Sequence, residues 1–171
     1  IDKYFPIQNL PIFRTMKIEP EILDQFSIPS EIISIETHGD GHINDTFLLK
    51  TSSENFILQR VNKYIFRTNE LTRNYEKLFS AIQDYPEKLV PKLVKTKNGK
   101  LHVIDQDGCC WRLSEFIKDG KTHLISTDTN LSYLAARSFG KFQHFLNSLD
   151  ASHFGETILH FHDPESRLSQ F

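Results

Sequence analysis

Between residues 31 and 61 the hydrophobic residues form three short strand-like segments separated by polar turns. Ile33 and Ile35 alternate with polar neighbours, and residues 46–50 and 56–61 continue the strand pattern. The segment Gly39-Asp40-Gly41-His42 separates the first two strands, which predicts a hairpin with a glycine-rich turn. The sequence therefore predicts three consecutive strands in this region.

Further on, tight-turn dipeptides mark the return of the sheet. Asn98-Gly99 lies between the apolar segments 93–95 and 101–104, and Asp107-Gly108 precedes the apolar segment 109–113. Asn-Gly and Asp-Gly favour the positive φ angles of hairpin turns. We therefore expect a five-stranded antiparallel sheet that ends with residues 109–113.

Helical spacing occurs at three places. A short pattern after Pro20 belongs to a leader that we expect to pack on the sheet, and residues 71–82 predict a helix between the third and fourth strands. Residues 131–149 predict a long amphipathic helix, capped by the polar cluster 127–130. The fold class predicted from these patterns is α+β.

This order of elements is typical of the small lobe of protein-kinase-like enzymes, followed by the first helices of a large lobe. We predict a leader at 1–30, an ATP-binding small lobe at 31–113, a hinge linker at 114–120 and the start of a truncated helical large lobe at 121–171.

Composition narrows the classes of partner. The 171 residues are 39% hydrophobic and 25% charged, as in soluble globular proteins, and the net charge of -2 leaves no basic stripe for nucleic acid. No apolar run is long enough to predict a membrane span. The adjacent Cys109 and Cys110 cannot join distant segments, which favours a reducing cytoplasm.

Two features could bind phosphate. Gly39 and Gly41, with His42 and Ile43, would form a phosphate-covering turn, although Gly-Asp-Gly in a hairpin is more often only a turn. Arg60 lies in the third strand, where kinases place a phosphate-pairing cation, or it is a surface arginine. Glu76 or Glu70 in the following helix could orient Arg60, and spacing does not choose between them.

The linker 114–117 would present backbone N–H and C=O groups to adenine, with Leu58 and Leu113 as apolar walls. Trp111 is expected to pack in the core.

Longer strings of residues resemble one family. Residues 39–47 (Gly-Asp-Gly-His-Ile-Asn-Asp-Thr-Phe) and 56–62 (Phe-Ile-Leu-Gln-Arg-Val-Asn) are similar to the N-acetylhexosamine 1-kinases of the aminoglycoside phosphotransferase-like superfamily. The resemblance continues through 73–76, 111–117, 136–143 and 160–163, and it favours Glu76 over Glu70. It departs at residues 162–165, where His-Asp-Pro-Glu stands in place of His-Asp-Thr-Pro.

The resemblance implies transfer of the ATP γ-phosphoryl group to the anomeric hydroxyl of an N-acetylhexosamine, with Mg²⁺. It implies catalytic and metal-binding residues beyond Phe171, so that the missing C-terminal lobe is required and the chain alone is inactive. The nucleotide-binding residues expected from motif and resemblance are Gly39, Gly41, His42, Ile43, Asn44, Leu58, Arg60, Glu76, Glu115, Phe116 and Ile117.

Other functions stay open at this point. A non-catalytic nucleotide-binding module would share these residues, and related kinases act on choline, homoserine, methylthioribose or aminoglycosides. A metal-dependent hydrolase is a further alternative, because His160, His162, Asp163 and the nearby His153 include metal-ligand types.

Overall fold

The structure, a computed structural model, describes residues 18–39, 41, 43–83, 85, 90–121, 123, 125–126 and 128–169. Five strands form one antiparallel sheet: β1 (Ile32–Thr37), β2 (Asp45–Thr51), β3 (Asn55–Val61), β4 (Val103–Ile104) and β5 (Cys110–Glu115). Their order in the sheet is β1-β2-β3-β5-β4. The predicted fold class, an α+β fold with a five-stranded antiparallel sheet, is confirmed.

The three predicted helices form close to their predicted positions, and a further short helix and a 3₁₀ turn form where no helix was predicted. The helices are α1 (Pro20–Asp24), α2 (Thr68–Ile82), α3 (Thr129–Leu146) and the additional α4 (Pro164–Leu168), with the 3₁₀ turn at Ala151–His153. Asp128 caps α3, because its side chain accepts a hydrogen bond from the N–H of Asn130 at 2.9 Å. None of the helices in the described ranges is long and apolar enough to cross a membrane.

The second half of the sheet differs from the prediction in one respect. Both glycine turns form, with φ of 78° at Gly99 and 76° at Gly108. Residues 93–95, however, are not a regular strand, because Leu93 makes only an isolated bridge to Ser114. The strand that pairs with the outer edge of β5 is β4. The Asn98-Gly99 turn therefore joins a bridge segment to β4, and the true hairpin is the one closed at Gly108.

The part of the leader that the structure describes, residues 18–30, packs on one face of the sheet. Ile22 in α1 and Phe26 just after it are 3% and 2% exposed, and Phe26 forms a bridge to Thr96. Burying such side chains contributes about 1.5–3 kcal/mol each. Trp111 is buried in this same cluster, which confirms its predicted packing role. The core under α1 consists of Phe47, Leu49, Phe56, Leu58, Val103, Trp111 and Leu113 together with Ile22 and Phe26.

The apolar stripe of α3 is buried only at its C-terminal end. Phe145 is buried and its ring contacts Tyr85 at 4.9 Å between centroids, whereas Tyr133, Leu134 and Phe139 are exposed. The boundaries predicted for the leader, small lobe, linker and large lobe stay predictions.

Candidate functional site

A cleft of about 900 Å³ lies between the sheet and the helices on the side opposite to α1. Side chains of β2, β3 and β5 form one wall, α2 forms another, and Phe142 and Leu146 of α3 contribute to the lining. The linker after β5 borders the cleft through Glu115, Phe116 and Ile117. This volume lies in the usual range of ligand sites, roughly 300–1,000 Å³.

Strand alternation decides which side chains reach the cleft. Successive side chains in a strand point to opposite faces. In β3, Leu58 and Arg60 share the core face, while Ile57 and Gln59 line the cleft. In β5, Leu113 lies on the core face and Arg112 in the cleft.

The cleft face carries a polar row that crosses three strands. Register pairs Thr46 with Gln59 and Gln59 with Arg112. Gln59 Nε2 donates to Thr46 Oγ1 at 3.1 Å, and Arg112 Nε donates to Gln59 Oε1 at 3.0 Å. Arg112 Nη2 also donates to that oxygen, and the guanidinium carbon lies 4.6 Å from the ring centroid of Tyr75 in α2. The row thus places a cation inside the cleft.

Arg60, the cation predicted from sequence, lies on the other face of the sheet. It is 5% exposed, and both Nε and Nη2 lie 2.8 Å from Oδ2 of Asp45, its cross-strand partner in β2. Its guanidinium carbon also lies 5.8 Å from the Trp111 ring centroid. The structure therefore holds Arg60 in a buried ion pair beside the core.

The carboxylates predicted to orient Arg60 contact other groups. Glu76 is solvent-exposed and acts electrostatically on His102, and Glu70 forms an ion pair with Arg73. Burial lowers the pKa of His102, and the nearby Glu76 carboxylate partly opposes this shift. The ion pair described for Arg60 is thus with a residue that the sequence analysis did not consider.

The glycine turn lies at the end of the polar row. Gly39 has φ of 78°, and the N–H of His38 donates to the carbonyl of Thr46 at 2.9 Å across the hairpin. Asn44 Oδ1 accepts from the N–H of Asn62 at 2.9 Å, which fixes the base of the turn to the end of β3. Ile43 is exposed. His42 lies outside the described residues.

Two residues of the linker use their backbone donors within the protein. The N–H of Glu115 donates to the backbone carbonyl of Lys92 at 2.9 Å, and the N–H of Phe116 donates to the backbone carbonyl of Asn55 at 3.1 Å. Within the described part of the chain, the N–H of Ile117 has no hydrogen-bond partner. Of the linker residues predicted to contact adenine, Ile117 is therefore the one with a free donor.

Leu58 and Leu113, predicted as walls for adenine, are 0% exposed and belong to the core under α1. The structure thus brings together Glu115, Phe116 and Ile117 at the cleft. It places Leu58 and Arg60 on the opposite face of the sheet.

The loop after α3 is fastened to α2. Asn74 Nδ2 donates to the carbonyl of Gly155 at 2.7 Å, and the N–H of Gly155 donates back to Asn74 Oδ1 at 2.9 Å. The N–H of Arg67 donates to the carbonyl of Thr157 at 2.8 Å. These contacts join α2 to residues about eighty positions later and close one side of the cleft. Asn74 lies in the motif at residues 73–76, and its role as a link between α2 and the loop after α3 was not predicted.

The histidine-rich segment has a structural role in the described contacts. Asp163 caps α4, since its Oδ1 accepts from the N–H groups of Glu165 and Ser166, and His160 Nδ1 lies 3.2 Å from its other oxygen. The hydrogen bond from Ser166 is the largest cause that lowers the pKa of Asp163. Among the described residues no group of three or more His, Cys, Asp or Glu side chains could hold a metal ion. The contacts give no support to a metal-dependent hydrolase.

No known family model matches the sequence. Two solved structures are partly similar to this chain. An aminoglycoside phosphotransferase from Alicyclobacillus acidocaldarius is 13% identical over 61% of this chain and 28% of its own, with a TM-score of 0.45. A spectinomycin phosphotransferase, solved in complex with ADP and spectinomycin, is 12% identical over 57% of this chain and 29% of its own, with a TM-score of 0.42.

The matched part of this chain spans less than a third of the length of either structure. At this identity and TM-score the likeness carries no conclusion about activity, which has to come from the cleft itself.

Proposed function

We propose that this chain binds ATP in the cleft, as the nucleotide-binding lobe of a phosphotransferase that acts on a small molecule. The observation that carries the proposal is the position of the linker. Glu115, Phe116 and Ile117 border an apolar-walled cleft of about 900 Å³, and the N–H of Ile117 is without a partner in the described residues. An adenine ring needs in-plane hydrogen bonds between apolar surfaces, and this combination supplies both.

The apolar surfaces are specific side chains. Ile57 from β3 and Leu71 and Phe79 from α2 line the cleft together with Phe116, whose ring meets His38 edge-on at 5.8 Å between centroids. We propose that adenine lies among these side chains, with the nucleotide contacts expected for Gly39, Gly41, His42, Ile43 and Asn44 made by the turn at the end of β1.

For the whole protein we propose an N-acetylhexosamine as acceptor, phosphorylated at the anomeric hydroxyl. The support is the resemblance of residues 39–47 and 56–62 to the N-acetylhexosamine 1-kinases. Mg²⁺ would bind with the nucleotide and neutralise phosphate charge. In the part of the chain that the structure describes, no group of three or more His, Cys, Asp or Glu side chains could hold a metal ion. The resemblance implies that the metal ligands and the catalytic base belong to a further part of the second lobe. The chain alone is then expected to bind nucleotide without transferring phosphate.

We also propose that the protein works in a reducing cytoplasm. Cys109 and Cys110 are both free and buried, and burial raises the pKa of the Cys110 thiol to about 11. Such a thiol reacts slowly with oxidants because little thiolate is present.

Calorimetric titration of the chain with adenosine, ADP and ATP tests the nucleotide site. Ile117→Pro removes the N–H of Ile117, and we expect it to weaken the binding of all three ligands by roughly three- to tenfold, the worth of one hydrogen bond. Ile117→Ala is the matched control, because it keeps the N–H and removes only an exposed side chain. If the folded chain binds none of the three ligands, the proposal is wrong.

The acceptor is tested on the whole protein with radiolabelled ATP and a panel of amino sugars, simple hexoses, choline and homoserine. Transfer to N-acetylglucosamine or N-acetylgalactosamine alone supports the sugar kinase. Nucleotide binding without transfer to any acceptor favours a non-catalytic module.

A further inference from the structure

We infer that Arg112 in β5 is the side chain that binds the phosphates of the nucleotide in the cleft. This inference rests on the proposed nucleotide site and adds to it a residue that the motifs do not indicate.

The first support is an uncompensated charge. Arg112 is half-buried in the cleft wall, yet it makes no ion pair with any carboxylate of the described residues. Its Nη1 is buried and has no hydrogen-bond partner there. A desolvated guanidinium without a counter-charge is costly, and an anionic ligand would remove that cost.

The second support is that Arg112 is already held in position. Gln59 Oε1 accepts from both Nε and Nη2, and the Gln59 amide is itself fixed by its donation to Thr46. The ring of Tyr75 packs against the guanidinium at 4.6 Å. These contacts occupy one edge and one face of the guanidinium, and Nη1 is the nitrogen that has no partner among the described residues. A planar, permanently charged fork suits phosphate oxygens.

The third support is the distance from the linker. Arg112 lies three positions before Glu115, where β5 ends and the linker follows, which at about 3.3 Å per residue is roughly 10 Å. An extended nucleoside polyphosphate spans this length. The polar row begins at Thr46, one residue into β2 after the glycine turn, and His38 at the other end of that turn also lines the cleft. Arg60 lies on the opposite face, in its pair with Asp45.

The experiment compares adenosine with ATP in calorimetric titrations of the wild-type chain and of Arg112→Gln, Arg112→Lys and Arg137→Gln. Adenosine reports the base and ribose contacts, and the ratio of ATP to adenosine affinity reports the phosphate contacts. Arg137 is an exposed arginine of α3 outside the cleft lining, so its variant controls for the loss of one positive charge.

We expect Arg112→Gln to lower the ratio of ATP to adenosine affinity by roughly ten- to a hundredfold, as for the loss of a charge-assisted hydrogen bond, with adenosine affinity unchanged. Arg112→Lys should keep part of the ratio, because the charge survives and the fork does not. Arg137→Gln should behave as wild type.

The outcomes separate this inference from the proposed function. If wild type binds adenosine and ATP but Arg112→Gln keeps the wild-type ratio, Arg112 is not the phosphate ligand and the nucleotide site stands. If wild type binds neither, both fall. Circular dichroism checks the fold of each variant, and if Arg112→Gln is unfolded, an unchanged ratio in Arg112→Lys overturns the inference.

Discussion

The buried ion pair between Arg60 and Asp45 makes a quantitative prediction about stability. Asp45→Asn keeps the shape of the side chain but removes the negative charge next to Arg60. The Arg60 side chain is 6% exposed and that of Asp45 24%, and two arginine nitrogens lie 2.8 Å from one carboxylate oxygen. The substitution therefore removes a short ion pair from a cation that water hardly reaches.

Removing one partner of a fully buried pair costs about 3–5 kcal/mol. Water reaches about a quarter of the Asp45 side chain and compensates part of this loss, so we expect Asp45→Asn to lower the free energy of unfolding by about 2–3 kcal/mol. For a chain of this size that corresponds to a fall in Tm of about 4–12 °C. Urea unfolding followed by circular dichroism measures the difference.

The control is the exposed pair between Lys50 and Glu36, whose side chains are 43% and 51% exposed. Glu36→Gln should cost at most about 1 kcal/mol, and high salt should abolish its effect. Arg60→Met and the double variant Asp45→Asn/Arg60→Met complete a cycle in which the double variant should cost clearly less than the sum. Additive costs, or a loss below about 0.5 kcal/mol for Asp45→Asn, would refute the reasoning that this pair is coupled and buried.

Three further predictions concern the titration of His102, the link between α2 and the loop after α3, and the core. Burial lowers the pKa of His102, and the charge of Glu76 partly opposes this shift. The stabilisation that His102 contributes is therefore present above about pH 6.5 and is lost as the pH falls. In urea unfolding, the free energy of unfolding should fall less on acidification in His102→Gln than in wild type. Asn74→Ala removes both hydrogen bonds to Gly155 and should cost about 1–3 kcal/mol, with faster amide exchange at Gly155. Leu58→Ala in the 0% exposed core should cost about 2–5 kcal/mol in the same unfolding assay, and a cost below about 1 kcal/mol would contradict its burial.

The sheet could be predicted because its signals are local. The alternation in β1, the short apolar segments of β2 and β3 and the dipeptides Asn98-Gly99 and Asp107-Gly108 indicate strands and turns within a few residues. The segment 93–95 misled the prediction, because its apolar residues fit a strand but its bridge to Ser114 is set by the distant β5.

The face of each strand that lines the cleft could not be predicted in the same way. Alternation places Leu58 and Arg60 on one face and Gln59 on the other, but it does not say which face α1 covers. Leu58 and Arg60 were predicted to line the cleft, whereas Gln59 and Arg112 do so. That choice depends on contacts between segments far apart in sequence, such as Ile22 and Trp111.

The partner of Arg60 was missed for a related reason. Asp45 precedes Arg60 by fifteen residues and meets it only through the register of the β2–β3 hairpin. The prediction chose Glu76 or Glu70 because kinase small lobes pair the strand cation with a glutamate of the following helix. In the structure Glu76 acts on His102 and Glu70 pairs with Arg73. Counting the register back from the turn at residues 52–54 would have paired Asp45 with Arg60.

The position of α1 has a practical consequence for anyone shortening this protein. An expression boundary placed just before β1 would look natural, since the sheet begins at Ile32. It would remove Ile22 and Phe26 from their contacts with Phe47, Trp111 and their neighbours. The apolar face of the sheet that α1 covers would then be exposed to water. Such a shortened protein should precipitate or self-associate even though every strand and every residue around the cleft is still encoded.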